Sequence, residues 1–204
     1  ALGTTMVVDL RPGSANSWPE RLTVVGSDLY FAAESATAGR ELHRLDANGT
    51  VSLVKDLTPG STGTTFDTLA AFGSLLVFSA NSGAGLEPHV SDGSAAGTFQ
   101  LADLNAGAAN SLPRDFTTVG GVCVFAAETQ ALGRELYQTN GTTAGTTLLA
   151  DLRPGGGSSS PEQLAAIGAR VVFTATDDQV GRELFVTDGT GAGTGLLADI
   201  YTGL

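Results

Sequence analysis

A phenylalanine recurs in one register along this chain, at Phe31, Phe78, Phe125 and Phe173, with spacings of 47, 47 and 48 residues. Each sits in a short apolar run: Leu29–Ala33, Leu76–Ala80, Cys123–Ala127 and Val171–Ala175. Eight to ten residues later comes Gly39-Arg40-Glu41-Leu42, answered by Gly85-Leu86-Glu87-Pro88, Gly133-Arg134-Glu135-Leu136 and Gly181-Arg182-Glu183-Leu184. Repeats of this length are supersecondary units that cannot bury their apolar faces alone and must stack on one another. The chain therefore divides into a terminal strand over residues 1–12 and repeats over about 13–59, 60–106, 107–154 and 155–204, within one domain.

One repeat shows the elements. Leu22-Thr23-Val24-Val25 is β-branched and ends at the turn Gly26-Ser27. Leu29 to Ala33 is a second strand, and the small polar residues Glu34 to Ala38 form a loop. Arg40 to Leu45 alternates as a third strand, with Asp46-Ala47-Asn48-Gly49 as its turn. Val51 to Leu57 is a fourth, stopped by Thr58-Pro59-Gly60. No segment carries a helical period. Four short antiparallel strands per repeat predict an all-β fold, a β-propeller of four four-stranded blades. The first strands carry small residues, as in Leu69-Ala70-Ala71-Phe72, which suits the crowded position nearest the axis. The segment Thr4 to Leu10 matches the fourth strands Thr146–Leu152 and Thr194–Ile200, so an additional N-terminal strand is expected, surplus to a four-bladed ring. An unpaired edge of that kind templates β-pairing, either to the last blade or to a second chain.

Composition narrows the function. At 42% hydrophobic and 15% charged residues, the chain is too apolar for disorder. It has no run of apolar residues long enough for a membrane span. The net charge of −11, with Lys55 the one lysine, repels phosphate backbones and argues against nucleic acid. The chain opens on Ala1 without Met, which fits removal of a signal or an upstream region. The one cysteine, Cys123, lies within an apolar strand and reads as a small buried hydrophobe.

The third strand and its turn resemble a known repeat. Glu87-Pro88-His89-Val90-Ser91-Asp92-Gly93-Ser94, Glu135-Leu136-Tyr137-Gln138-Thr139-Asn140-Gly141-Thr142 and Glu183-Leu184-Phe185-Val186-Thr187-Asp188-Gly189-Thr190 are similar to the ELWxxDGT repeat of secreted bacterial proteins. Glu41 to Asp46 begins the same way, with a turn two residues shorter. His43, His89, Tyr137 and Phe185 stand where that family has Trp, so a planar ring is kept in the column. The resemblance implies a repeat array in exported or surface proteins, extracellular or periplasmic, and no particular activity. The hairpins also resemble, loosely, the Asp-box turns of sialidase propellers.

Asp9, Asp56, Asp103, Asp151 and Asp199 each close a fourth strand. They read as acceptors for loop backbone N–H groups rather than as calcium ligands, because each loop offers one carboxylate and calcium takes six to eight oxygens. Glu41, Glu87, Glu135 and Glu183 point away from the adjacent Arg side chains and are expected to bind a neighbouring strand or blade. No HExxH, CxxC, GxGxxG or P-loop pattern is present, and the two histidines fall in the aromatic column. Neither a catalytic set nor a cofactor or metal is expected.

The loops joining strand four to the next strand one, and strand two to strand three, share one face and are the most varied. That face is the expected binding face. Its candidate ligand residues are Trp18, Asn16, Asn110, Asp177 and Asp178. Trp18 either stacks on a sugar or a protein partner, or caps the edge packing beside Pro19. The expectation is a non-enzymatic binding module for a glycan or protein partner, lectin-like in one form. The alternative is a structural subunit of a larger bacterial surface assembly.

Overall fold

The structure is a computed structural model, describing residues 3–60 and 62–201. It contains sixteen strands and, among the described residues, no helix. Blade 1 is β1 (Glu20–Val25), β2 (Asp28–Ser35), β3 (Gly39–Leu45) and β4 (Val51–Lys55). Blade 2 is β5 (Thr65–Phe72), β6 (Leu75–Asn81), β7 (Leu86–Ser91) and β8 (Phe99–Gln100). Blade 3 is β9 (Arg114–Val119), β10 (Val122–Thr129), β11 (Gly133–Thr139) and β12 (Thr147–Ala150). Blade 4 is β13 (Glu162–Ile167), β14 (Arg170–Asp177), β15 (Gly181–Thr187) and β16 (Gly195–Ala198). Each blade is an antiparallel meander. The first strands lie side by side in the order β1, β5, β9, β13, as in the inner wall of a β-propeller. The blades form an arc: the outer face of blade 4 is open, with Ile167 and Leu197 exposed, and that of blade 1 lies under the N-terminal segment.

Alternation sets the packing. In β2, Tyr30 and Ala32 face blade 2, whereas Leu29, Phe31 and Ala33 face the other way. The junction between blades 1 and 2 buries Tyr30, Leu42 and Val54 against Phe66, Leu76 and Phe78. The junction between blades 3 and 4 buries Val124, Leu136 and Leu149 against Val171, Phe173 and Phe185. All four repeated phenylalanines are buried. Each stacks on the ring of its cross-strand partner: His43 at 5.8 Å, His89 at 5.2 Å, Tyr137 at 6.1 Å and Phe185 at 5.9 Å between centroids. The ring column thus keeps its packing role without Trp. Cys123 is buried in this core, and burial pushes its thiol up to about 12. Native protein is therefore expected to resist thiol alkylation at neutral pH, with labelling only after unfolding, read by mass spectrometry.

The turn after the third strand is built identically in blades 2, 3 and 4. A hydroxyl pair closes it: Ser91 with Thr98 at 2.7 Å, Thr139 with Thr146 at 2.8 Å, and Thr187 with Thr194 at 2.7 Å. Asp92, Asn140 and Asp188 accept from the backbone and hydroxyl two residues on. These bonds hold the Asp92 and Asp188 carboxyls below the usual range. The turn glycines adopt left-handed φ and also touch the preceding blade. A Cβ on Gly141 would stand 2.7 Å from Leu75 Cδ1, and one on Gly189 would stand 2.9 Å from Val122 Cγ2. The glycine is thus required both by the turn and by the junction.

The N-terminal segment departs from expectation. Residues 3–19 form no strand. A fourth strand needs a third strand to pair with, and among the described residues this segment lies instead against the face of blade 1. Val7, Val8 and Leu10 line an apolar pocket of about 200 Å³ with Leu22, Leu29, Phe31 and Leu45.

Candidate binding face

Two loop classes interlock on one rim. Glu34 N donates to Ser17 O at 2.7 Å, Glu128 N to Ser111 O at 2.7 Å, and Thr176 N to Ser159 O at 2.7 Å. Gln130 N donates to Asn105 Oδ1 at 3.1 Å, and Arg153 Nε to Asp178 Oδ1 at 2.6 Å. Arg11 makes the equivalent ion pair with Glu34 in blade 1. These bonds hold the varied loops against the sheets.

Beneath them lies a glutamate clasp. Glu135 accepts from Leu152 N at 2.8 Å, Ser159 N at 2.7 Å and Ser159 Oγ at 2.6 Å. Glu87 accepts from Leu104 N at 2.8 Å, Ser111 N at 2.9 Å and Ser111 Oγ at 2.7 Å. Glu41 accepts from Leu57 N at 3.0 Å, Thr58 N at 3.3 Å and Thr64 Oγ1 at 2.9 Å. Each glutamate therefore ties its blade to the segment entering the next. Burial raises the carboxyls of Glu41, Glu87 and Glu135 above the usual range, against the lowering effect of these donors. The recurring aspartates do less of this work than their spacing predicts. Asp9 and Asp103 accept one loop N–H each, from Arg11 and Gly107. Asp56, Asp151 and Asp199 each keep a buried Oδ1 without a partner. The loop donors have gone to the glutamates.

Two grooves open on the rim at repeat-equivalent positions. The blade 4 groove, about 500 Å³, is lined by Asp151, Leu152, Pro154, Asp177, Gln179 and Phe185. The blade 1 groove, about 330 Å³, is lined by Asp9, Leu10, Pro12, Thr37, His43 and Leu53. In blade 2 the matching polar groups are engaged with one another, Ser82 Oγ lying 3.0 Å from His89 Nε2. Both grooves lie beside a copy of the run Asp-Leu-Arg-Pro-Gly, at residues 9–13 and 151–155. That pair of identical runs was the sequence signal for them, and Asp151 and Gln179 were not among the expected ligand residues.

The expected residues fall at three places on the rim. Trp18 is 63% exposed on the segment entering blade 1. Its backbone is left-handed at φ 43°, but Leu112 and Ser160 share that bend at 47°, so only the side chain is distinctive. Asn16 is exposed beside it, and its carbonyl accepts from Arg11 Nη1 at 3.2 Å. Asn110 lies between blades 2 and 3, with its Oδ1 taken by Leu86 N at 2.8 Å. Asp177 lines the blade 4 groove, its Oδ1 accepting from Gln179 N at 2.6 Å. Asp178 holds Arg153 at the groove's edge.

No protein-family model matches the chain, and no curated protein matches it. The resemblance to ELWxxDGT repeats therefore stands on the residues quoted for it. Solved structures do match. A puromycin hydrolase S511A mutant complexed with PGG aligns with 86% of this chain at 15% identity and a TM-score of 0.57. An acylaminoacyl peptidase from Pyrococcus horikoshii aligns with 90% at 12% identity and 0.56. TolB from Acinetobacter baumannii aligns with 88% at 14% identity and 0.51. The chain spans 28%, 27% and 42% of those chains, respectively. At such identities the likeness establishes the fold alone.

The chain has the β-propeller fold.

Proposed function

We propose that this propeller is an exported, non-enzymatic binding module, extracellular, surface-bound or periplasmic, that takes a glycan or protein partner on its varied loop rim. The observation that carries the reading is the rim itself. Loops that differ between blades are fixed to the scaffold by repeated bonds, and they present an exposed Trp18 and an acidic groove with an apolar floor. Rigid scaffold with varied loops is the arrangement in which recognition residues concentrate. Near-equivalent grooves on blades 1 and 4 would let a repetitive ligand bind with avidity. The non-enzymatic part of the reading is supported by the glutamates. The three whose carboxyls burial raises are fully buried and spent on loop donors, so they are not free acids in a cleft. A lectin-like form is the specific version to test.

A glycan array probed with the wild-type chain, repeated with Trp18→Ala and Asp177→Ala, checks it. Trp18→Ala should weaken binding by roughly 1–3 kcal/mol, the range for an aromatic anchor, with little change in melting temperature because the ring is exposed. Unchanged binding with a lowered melting temperature would instead make Trp18 a packing residue. An array without hits, together with no retained protein partner, would sink the reading. The open outer face of blade 4 favours a second reading, a structural subunit that builds with other blades.

A further inference from the structure

The three blade junctions serve as internal controls for the two ends of the arc. Val25, Phe72 and Val119 are 6%, 9% and 4% exposed, and the residue in their register on blade 4, Ile167, is 67% exposed. Val54, Leu101 and Leu149 are 5%, 0% and 9% exposed, and their counterpart Leu197 is 46% exposed. At the other end, Leu22 is 62% exposed where Leu69, Phe116 and Leu164 pack into junctions. Blade 4 therefore displays the apolar face that blades 1 to 3 each bury against the next blade. On blade 1 the face that blades 2 to 4 bury against the previous one lies under residues 7–10, which line a pocket with Phe31 and Leu29 and leave Leu22 exposed.

The glutamate clasp is split in the same way. Glu183 accepts from Ile200 N at 2.9 Å and Tyr201 N at 3.4 Å, and among the described residues no hydroxyl reaches it. Ser17 stands in register with Thr64, Ser111 and Ser159, and no glutamate receives its hydroxyl among the described residues. One end thus holds the acceptor and the other the donor.

We propose that blade 4 of one copy docks on blade 1 of a second copy, repeating the internal junction, with Glu183 of one receiving Ser17 of the other. The occupant is argued from the three junctions already present: what covers this face inside the chain is the blade 1 type of face. Such a contact is heterologous, so it either closes into a ring or runs on as a filament. Propellers typically hold about four to eight blades, and two copies supply eight, so the closed pair is the expected species. β16 keeps its ladder to β15. Residues 3–8 belong to no strand, and Met6 and Val7 are 77% and 61% exposed, so this segment gives way on docking.

Sedimentation equilibrium of the 204-residue chain, from low to high micromolar concentration, should show twice the 20.6 kDa chain mass. Ile167→Glu and Leu22→Glu should each be monomeric, with the melting temperature that the wild type shows at concentrations where it is dissociated, because both residues are exposed in the single chain. Mixing the two variants should restore a pair, since one of its two junctions is then free of glutamate. Deleting residues 3–8 should tighten association. A wild-type chain that stays at the single mass throughout overturns the proposal. So does a pair that survives either single variant, or a mixture of variants that stays monomeric.

Discussion

Glu135→Ala is expected to destabilise the protein by about 3–5 kcal/mol, whereas Glu183→Ala costs about 1 kcal/mol or less. The two residues hold the same position in adjacent blades, so strand propensity and sequence context are matched. Glu135 is fully buried and collects two backbone N–H groups and one hydroxyl, all within 2.8 Å. Alanine would leave those donors without an acceptor in a dry site, at about 1–3 kcal/mol for each unsatisfied group. Part of that cost is offset because the buried carboxylate is itself strained by desolvation, which its raised pKa records. Among the described residues, Glu183 accepts only from Ile200 N and Tyr201 N, at the open end of the arc. Urea unfolding of both variants reads the difference directly. Equal losses would mean that the clasp between blades is not what the glutamate supplies.

Much of this fold was legible in the chain because each repeat solves the same packing problem. The run Leu76-Val77-Phe78-Ser79-Ala80 is apolar on both faces, and both faces are buried between blades. The turn chemistry was equally local: Asp188-Gly189-Thr190 carries its own acceptor, left-handed residue and hydroxyl. What was hidden depends on partners distant in sequence. The similarity of Thr4–Leu10 to later fourth strands says nothing about whether a third strand lies beside it, and among the described residues none pairs with it. The clasp partners of Glu87 and Glu135 lie in the next repeat, at Ser111 and Ser159. The signal was a hydroxyl residue recurring at Thr64, Ser111 and Ser159 in loops that otherwise vary. Whether the row of blades closes depends on the angle between sheets, and a repeat count carries no angle.

The site was less legible for a related reason. Trp18 was visible as the sole Trp, and Asp177 as a polar loop residue. The groove that Asp177 enters, however, is walled by Asp151 and Pro154 from the preceding repeat. Blade 2 carries Ser82 and His89 where blade 4 has Asp177 and Phe185, and there the two side chains bond to each other. A single repeat read alone therefore understates what two neighbours build between them.

His89→Phe is expected to flatten the acid side of the stability curve by about 3 kcal/mol relative to wild type between pH 7.5 and pH 4. His89 is fully buried, stacked on Phe78, and burial lowers its pKa from 6.5 to about 4. Its neutral form is fixed by its partners. Nδ1–H donates to the Glu87 carbonyl at 2.9 Å, so Nε2 accepts from Ser82 Oγ at 3.0 Å. Because the folded pKa lies below the unfolded one, the unfolded chain binds the proton first as pH falls. The stability held by neutral His89 is therefore complete above pH 6.5 and is lost progressively down to about pH 4. A shift of about 2.5 pKa units corresponds to about 3 kcal/mol at 1.36 kcal/mol per unit. His43 is lowered by burial in the same direction and adds to the wild-type loss. Glu41, Glu87 and Glu135 act oppositely, since burial raises them and their protonation at lower pH favours the fold. Those contributions are common to both proteins and cancel in the comparison. Phe is the residue that blade 4 already carries at this position, as Phe185, so the ring column is kept. Denaturant unfolding at a series of pH values, at low protein concentration because the isoelectric point is about 4.3, measures the difference. A gap between the two proteins that stays constant from pH 7.5 to pH 4 would show that His89 is not the group whose protonation weakens the fold.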